Sequence, residues 1–262
     1  TYYLDAVSEQ LGQANPFLAK IKQSTDNVWG KDVKKLAIYG INGGIGAGSE
    51  DGALPAAKGN NYAQFTATLK NLYGTIEISD KAIRASENNA GAFVNLLNAE
   101  MAGLVRASSF NLGRMLFGDG SGKIATVKSV NSEVITLDSV AGVDLGMEIE
   151  IRDADGDILE AVPGGVISYV DRGNKAIKIS TAATVNNTTV TTGCFINLKG
   201  SYNNEITGLG AIFSSSGSLY GVSRSTSPWL TPYMKNSTGN LTEVAIQTAL
   251  DVIEESGGAP VN

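Results

Sequence analysis

No histidine occurs among the 262 residues. That removes Ser-His-Asp and Cys-His nucleophilic arrangements and every imidazole metal ligand. Cys194 is the single cysteine, so no disulfide and no cysteine-rich zinc site can form within one chain. Its apolar and small neighbours make it a buried small hydrophobe. Gly118-Asp119-Gly120-Ser121-Gly122-Lys123 has the flavour of a phosphate loop, but the glycine spacing fails and Ile124 stands where Ser or Thr is needed. The segment also leaves a helical pattern instead of opening one, so it reads as a helix stop and turn. Gly44-Ile45-Gly46-Ala47-Gly48 follows a strand pattern, as a dinucleotide fingerprint should, but neither a helical pattern nor a suitably placed acid comes after it. It reads as a flexible loop tip.

Asp153-Ala154-Asp155-Gly156-Asp157, with Glu160 beyond, puts oxygen ligands at alternate positions, as calcium loops do. Asp153, Asp155 and Asp157 are therefore the weak metal candidates. The glycine and glutamate of an EF-hand loop are missing from their places, and a type I′ hairpin turn around Asp155-Gly156 needs fewer assumptions. Asn187-Thr188-Thr189 and Asn240-Leu241-Thr242 are glycosylation sequons without a secretory context. Other carboxylates are scattered, and no acid–base pair follows from their spacing. No catalytic or cofactor-binding residue is nominated, no cofactor is implied, and the chain reads as a non-enzyme.

The composition sets the stage for a different role. Hydrophobic residues make up 42% and charged residues 18%, which suits a globular protein and excludes a wholly disordered one. Twenty basic residues against 26 acidic ones leave a net charge of -6, so the chain is not built to coat nucleic acid. No apolar run approaches the ~18 residues of a membrane span. Thr1-Tyr2-Tyr3-Leu4-Asp5 lacks the regions of a signal peptide, and the absent initiator Met suggests processing or trimming.

The elements that must carry this composition can be read along the chain. Residues 1–23 form an amphipathic arm interrupted at Asn15-Pro16. A strand at Lys35–Tyr39, a glycine-rich loop from Gly40 to Asn61 and a strand pattern from Tyr62 to Ile78 predict an extended, projecting hairpin. Ser79-Asp80 offers a cap for a short helical turn over Lys81–Ser86. Apolar residues at spacings of three and four predict a long helix over Ala92–Phe117, stopped by Gly118 and Gly120. Gly103 and Gly113 inside it predict close approach by another backbone or a helix held by tertiary packing. From Lys123 to Leu198 the period is two, with strands expected at 123–127, 133–137, 147–151, 165–170, 175–179 and 189–190. That is an inserted small barrel or sandwich. Residues 199–240 are loop-rich, and Ala245–Glu255 is a second helix with Thr242 as its cap.

A resemblance rests on two stretches. The first runs from Tyr73-Gly74-Thr75-Ile76-Glu77-Ile78-Ser79-Asp80-Lys81-Ala82-Ile83 through Asn98-Ala99-Glu100-Met101 to Phe110-Asn111-Leu112-Gly113-Arg114-Met115-Leu116-Phe117-Gly118-Asp119-Gly120. The second is Asn203-Asn204-Glu205-Ile206-Thr207-Gly208-Leu209-Gly210-Ala211-Ile212-Phe213. Together they resemble the major capsid proteins of tailed bacteriophages with the Hong Kong 97-type fold. The resemblance implies an α+β fold with an N-terminal arm at 1–33, an extension loop at 34–79, the spine helix of a peripheral domain at 80–118, a β insertion at 119–200, and the peripheral-to-axial connection with the start of an axial domain at 201–262. It leaves that axial domain apparently incomplete.

By the same resemblance the chain would self-assemble into pentamers and hexamers of an icosahedral head enclosing double-stranded DNA. Scaffold, maturation protease and portal would be partners, contact with DNA would be weak, there would be no membrane, and its place would be the virion, assembled in a bacterial cytoplasm. Leu4, Val7, Leu11 and Phe17 of the arm and Lys58, Phe65 and Leu69 of the hairpin are the implied contacts between subunits. An encapsulin-like compartment shares the fold but holds protein cargo. A bacterial surface or adhesin module is the reading from another class; it predicts an export signal upstream.

Overall fold

The computed structural model describes residues 16–21, 24, 28, 30–77, 79, 90–235 and 240–255; in the long helix, side chains are described from residue 98 onward. The fold is mixed α+β. The chain divides into two compact units, Thr1–Val28 with Leu69–Ala211, and Trp29–Thr68 with Ile212–Asn262. The expected segments 34–79 and 201–262 are each cut by that division.

In the first unit, α1 (Pro16–Lys20) begins on its proline, where a missing N–H costs nothing. The helix α2 (Ala90–Phe117) has 28 residues, about 42 Å at 1.5 Å each. Its last turn is tightened by the Gly118 N–H donating to Met115 O at 3.1 Å. Gly103 faces open space, so the close approach expected there is not made within the described residues. The strand pattern read through Ile78 is also shorter than expected: β2 ends at Thr68. Farther on, Gly74 lies so near α2 that a Cβ there would sit 2.8 Å from Leu104 Cδ1. The turn expected at Lys81–Ser86 lies outside the described residues.

Six strands follow: β3 (Lys123–Asn131), β4 (Val134–Leu137), β5 (Glu148–Arg152), β6 (Gly164–Asp171), β7 (Ala176–Ser180) and β8 (Phe195–Leu198). They close into an antiparallel barrel in the order β3-β4-β7-β6-β5-β8. Alternate residues point inward. Val127, Ile135, Leu137, Ile149, Ile151, Ile167, Ile177 and Ile196 are fully buried and form one cluster with Cys194. Each such side chain contributes roughly 1.5–3 kcal/mol by leaving water, and closure leaves no open edge.

The last expected strand, at 189–190, is instead a turn. Asn186 Oδ1 accepts the N–H groups of Thr188 and Thr189, both at 2.9 Å, and that local capping competes with a ladder. The sixth strand is Phe195–Leu198, whose first three residues are all buried. A run without alternation hides from a period-two reading.

The chain enters and leaves the barrel through one neck. The Asn203 N–H donates to Ser121 O at 2.7 Å, and the Gly210 N–H donates to Gly118 O at 3.1 Å. Gly208 is pressed against the end of α2, where a Cβ would collide with the carbonyl oxygens of Met115, Leu116 and Gly118. Returning backbone thus supplies a donor to the carbonyl just past the helix end.

In the second unit, β1 (Asp32–Tyr39) and β2 (Asn61–Thr68) pair antiparallel. On the outer edge of β2 the Thr66 N–H donates to Tyr220 O at 2.8 Å. The short α3 (Leu209–Ile212) runs across the boundary between the units. Beyond it lie the hairpin of β9 (Ser218–Leu219) and β10 (Val222–Ser223), a 3₁₀ turn at Pro228–Leu230, and α4 (Glu243–Glu255). Buried Arg224 ties the loop ahead of β9 together, donating to Ser216 O and Ile212 O at 3.1 Å each. Thr242 caps α4 as expected: its Oγ1 accepts the Ala245 N–H at 3.3 Å.

Candidate assembly surface

Cross-strand register fixes what the β1–β2 ribbon offers on each side. Directly opposed residues share a face. One face therefore carries Lys35 with Phe65, Ala37 with Ala63, and Tyr39 with Asn61. Trp229, brought up by the 3₁₀ turn, covers it. Its indole stacks on Tyr39 with centroids 4.8 Å apart and meets Phe65 edge-on at 6.3 Å. The other face carries Lys34 with Thr66, Leu36 with Gln64, and Ile38 with Tyr62. Leu36 is 70% exposed, Ile38 65% and Tyr62 57%. Neither strand contains a buried residue. A two-stranded ribbon is marginal in water by itself, and this one has an apolar face turned to solvent.

The loop joining the strands has its own rungs. Asn42 Nδ2 donates to Asn60 Oδ1 at 3.0 Å, and Asn42 Oδ1 accepts the Gly44 N–H at 2.9 Å. Ile41, Ile45 and Leu54 on that loop are highly exposed.

The contact candidates from the sequence divide. Leu4, Val7 and Leu11 lie outside the described residues. Phe17 packs inside its own unit, its ring 5.1 Å from that of Phe117. Phe65 is half-buried under Trp229, so its ring is used within the subunit. Lys58 and Leu69 are exposed. The side chains on the bare ribbon face, Leu36, Ile38 and Tyr62, were not singled out from sequence. The alternation of Leu36 and Ile38 was the available signal, but it does not say which face a distant tryptophan will cover.

The three aspartates form a turn, not a cage. Asp153 Oδ1 accepts the N–H groups of Asp155, Gly156 and Asp157 at 3.0, 2.9 and 2.9 Å. Gly156 has φ +98°, whereas Asp155 keeps a negative φ. The turn therefore ends on a left-handed glycine and is not the expected type I′ turn around Asp155-Gly156, which needs both central residues at positive φ. Among the described residues no three Asp, Glu or Cys side chains converge as a metal site would require.

Two buried polar clusters hold the first unit together. Arg114 on α2 forks onto Glu205 in the returning neck, with one arm at 2.9 Å and both side chains largely buried. Asn197, fully buried in β8, donates to Glu150 at 3.0 Å and accepts from Arg152 Nε at 3.1 Å. Arg152 also donates to Glu150 at 2.8 Å and to Gly156 O at 2.7 Å, and lies over the Tyr202 ring. Burial pushes the Glu150 carboxyl up, but the bonds from Asn197, Arg152 and the Gly200 N–H outweigh it and hold it below its ordinary value.

An open groove of about 550 Å³ lies between α2 and the loop after β4, lined by Ser109, Phe110, Gly113, Arg114, Phe117, Ala141 and Gly142. Its one ionisable side chain is Arg114, already engaged by Glu205. Among the described residues no helix is long and apolar enough to cross a membrane. Compared with known proteins, the chain matches no family model, no curated protein and no solved structure.

Proposed function

We propose that this chain is a shell subunit: a major capsid protein of the Hong Kong 97 type that assembles into pentamers and hexamers of an icosahedral head around double-stranded DNA. The bare ribbon face carries the reading. Leu36, Ile38 and Tyr62 stand exposed on a two-stranded sheet without a buried residue, which is how a surface waiting for a neighbour looks. Supporting it are the 28-residue α2 and a β module set in at that helix's end, in the order the resemblance leads one to expect. Repeated head-to-tail contacts of such a surface close into rings. The net charge of -6 suits a wall that touches packaged DNA only weakly. In the same reading, scaffold, maturation protease and portal are partners and the virion is the place of action.

Expression of the full chain, followed by sedimentation and electron microscopy, tests this. Closed particles or capsomer rings are expected, and native particles should protect DNA from nuclease. Particles filled with protein cargo and free of DNA indicate a compartment instead. Monomers under all assembly conditions overturn the reading.

A further inference from the structure

Helix α4 has an uncovered side of its own. Ile246, Leu250 and Ile253 recur at spacings of four and three, one stripe along a helix. Ile246 is 49% exposed and Ile253 43%, with Leu250 half-buried between them. Glu243 and Glu254 flank this stripe on one side, by the 100° per residue of helical geometry. The helix contains four carboxylates, Glu243, Asp251, Glu254 and Glu255, and no basic residue.

The ribbon's bare face is the complement. Leu36, Ile38 and Tyr62 supply an apolar strip, and Lys34 stands next to it on the same face, with Asp32 beyond at the end of the strand. Both surfaces are exposed in the same chain, so neither covers the other.

We propose that the bare ribbon face docks on α4 of a second copy. Ile253, Leu250 and Ile246 lie across Ile38, Tyr62 and Leu36, and Lys34 faces Glu243 at the start of the helix. The inference rests on the self-assembly reading above and names its contact. Because donor and acceptor surfaces differ, the contact is heterologous and can propagate around a ring. Apolar burial supplies the affinity, and the charge pair sets the register.

The test uses two differently tagged full-length chains, one carrying Ile38→Cys and the other Ile253→Cys, mixed and oxidised under assembly conditions. Cys194, buried in the barrel, serves as the background in the unsubstituted control. A disulfide-linked heterodimer is expected. Lys34→Glu in the first chain should weaken self-association about two- to five-fold, the effect of an exposed ion pair. Glu243→Lys in the second should restore it. Particles or oligomers that form without the heterodimer overturn this contact and leave the shell reading standing. A disulfide that forms inside one chain carrying both cysteines, in place of the cross-chain product, overturns it as well. Absence of any association overturns both readings.

Discussion

Arg114 and Glu205, 91 residues apart in the chain, face each other in a two-armed ion pair that joins the last turn of α2 to the loop returning from the barrel. The fork satisfies both carboxylate oxygens, the geometry in which a buried pair offsets its desolvation. Removing one partner leaves the other charged and dry. Arg114→Met and Glu205→Leu, each alone, should therefore cost about 3–5 kcal/mol, and the double substitution should recover most of it. Urea unfolding followed by circular dichroism checks this; two additive losses would count against the pair as a unit.

Acid should weaken the barrel through Glu150. Its carboxyl is held below the ordinary value of 4.5, so it contributes stability that is fully present above about that pH and is lost as pH falls through the lower folded value. The urea midpoint of the native chain should fall as pH drops below about 4.5. In Glu150→Gln that fall should be shallower and the midpoint at neutral pH lower. Equal slopes in both proteins would refute the assignment.

Two glycines on the same path should respond with opposite signs. Gly103 faces open space on α2, so Gly103→Ala should stabilise by about 0.5–1 kcal/mol, the helix-propensity difference. At Gly208 a Cβ meets three carbonyl oxygens, and Gly208→Ala should destabilise by about 1–3 kcal/mol. Thermal melts of the two variants read both. A Gly103→Ala chain that melts higher yet fails to assemble would place a neighbouring subunit against that spot.

Trp229→Ala should act locally. It uncovers Tyr39 and Phe65 and leaves the barrel core untouched. Hydrogen exchange in Asp32–Tyr39 and Asn61–Thr68 should speed up, while exchange in β3 to β8 stays as it was. Uniform acceleration across the barrel would show that the tryptophan does something else.

Local pattern carried a good deal of this architecture. The α2 apolar spacing, with Gly118 behind it, placed the helix within two residues at its start. Period-two alternation found five of the barrel strands, and it is clearest in β3, β4 and β5, where buried residues recur at alternate positions. It missed Phe195–Leu198, where Asn197 is buried beside Phe195 and Ile196 because Glu150 and Arg152 satisfy its amide. No local pattern announces such a partner. The same limit applied to the ribbon: Trp229 is 164 residues from Phe65, and without knowing that they meet, Phe65 reads as a free contact and Leu36 as an ordinary strand residue. Arg114 and Glu205 lie 91 residues apart, and no local pattern pairs them before the chain's return brings them together.

The neck at Ser121 and Asn203 has a consequence for how such a chain can vary. Two crossing points a hydrogen bond apart bring the barrel's entry and exit together. Hairpins of the barrel away from the loop at Ala141-Gly142, which packs on Arg114, can lengthen while α2 still ends on the same carbonyls. Those outlying hairpins are free to drift while the trunk is held to its old shape.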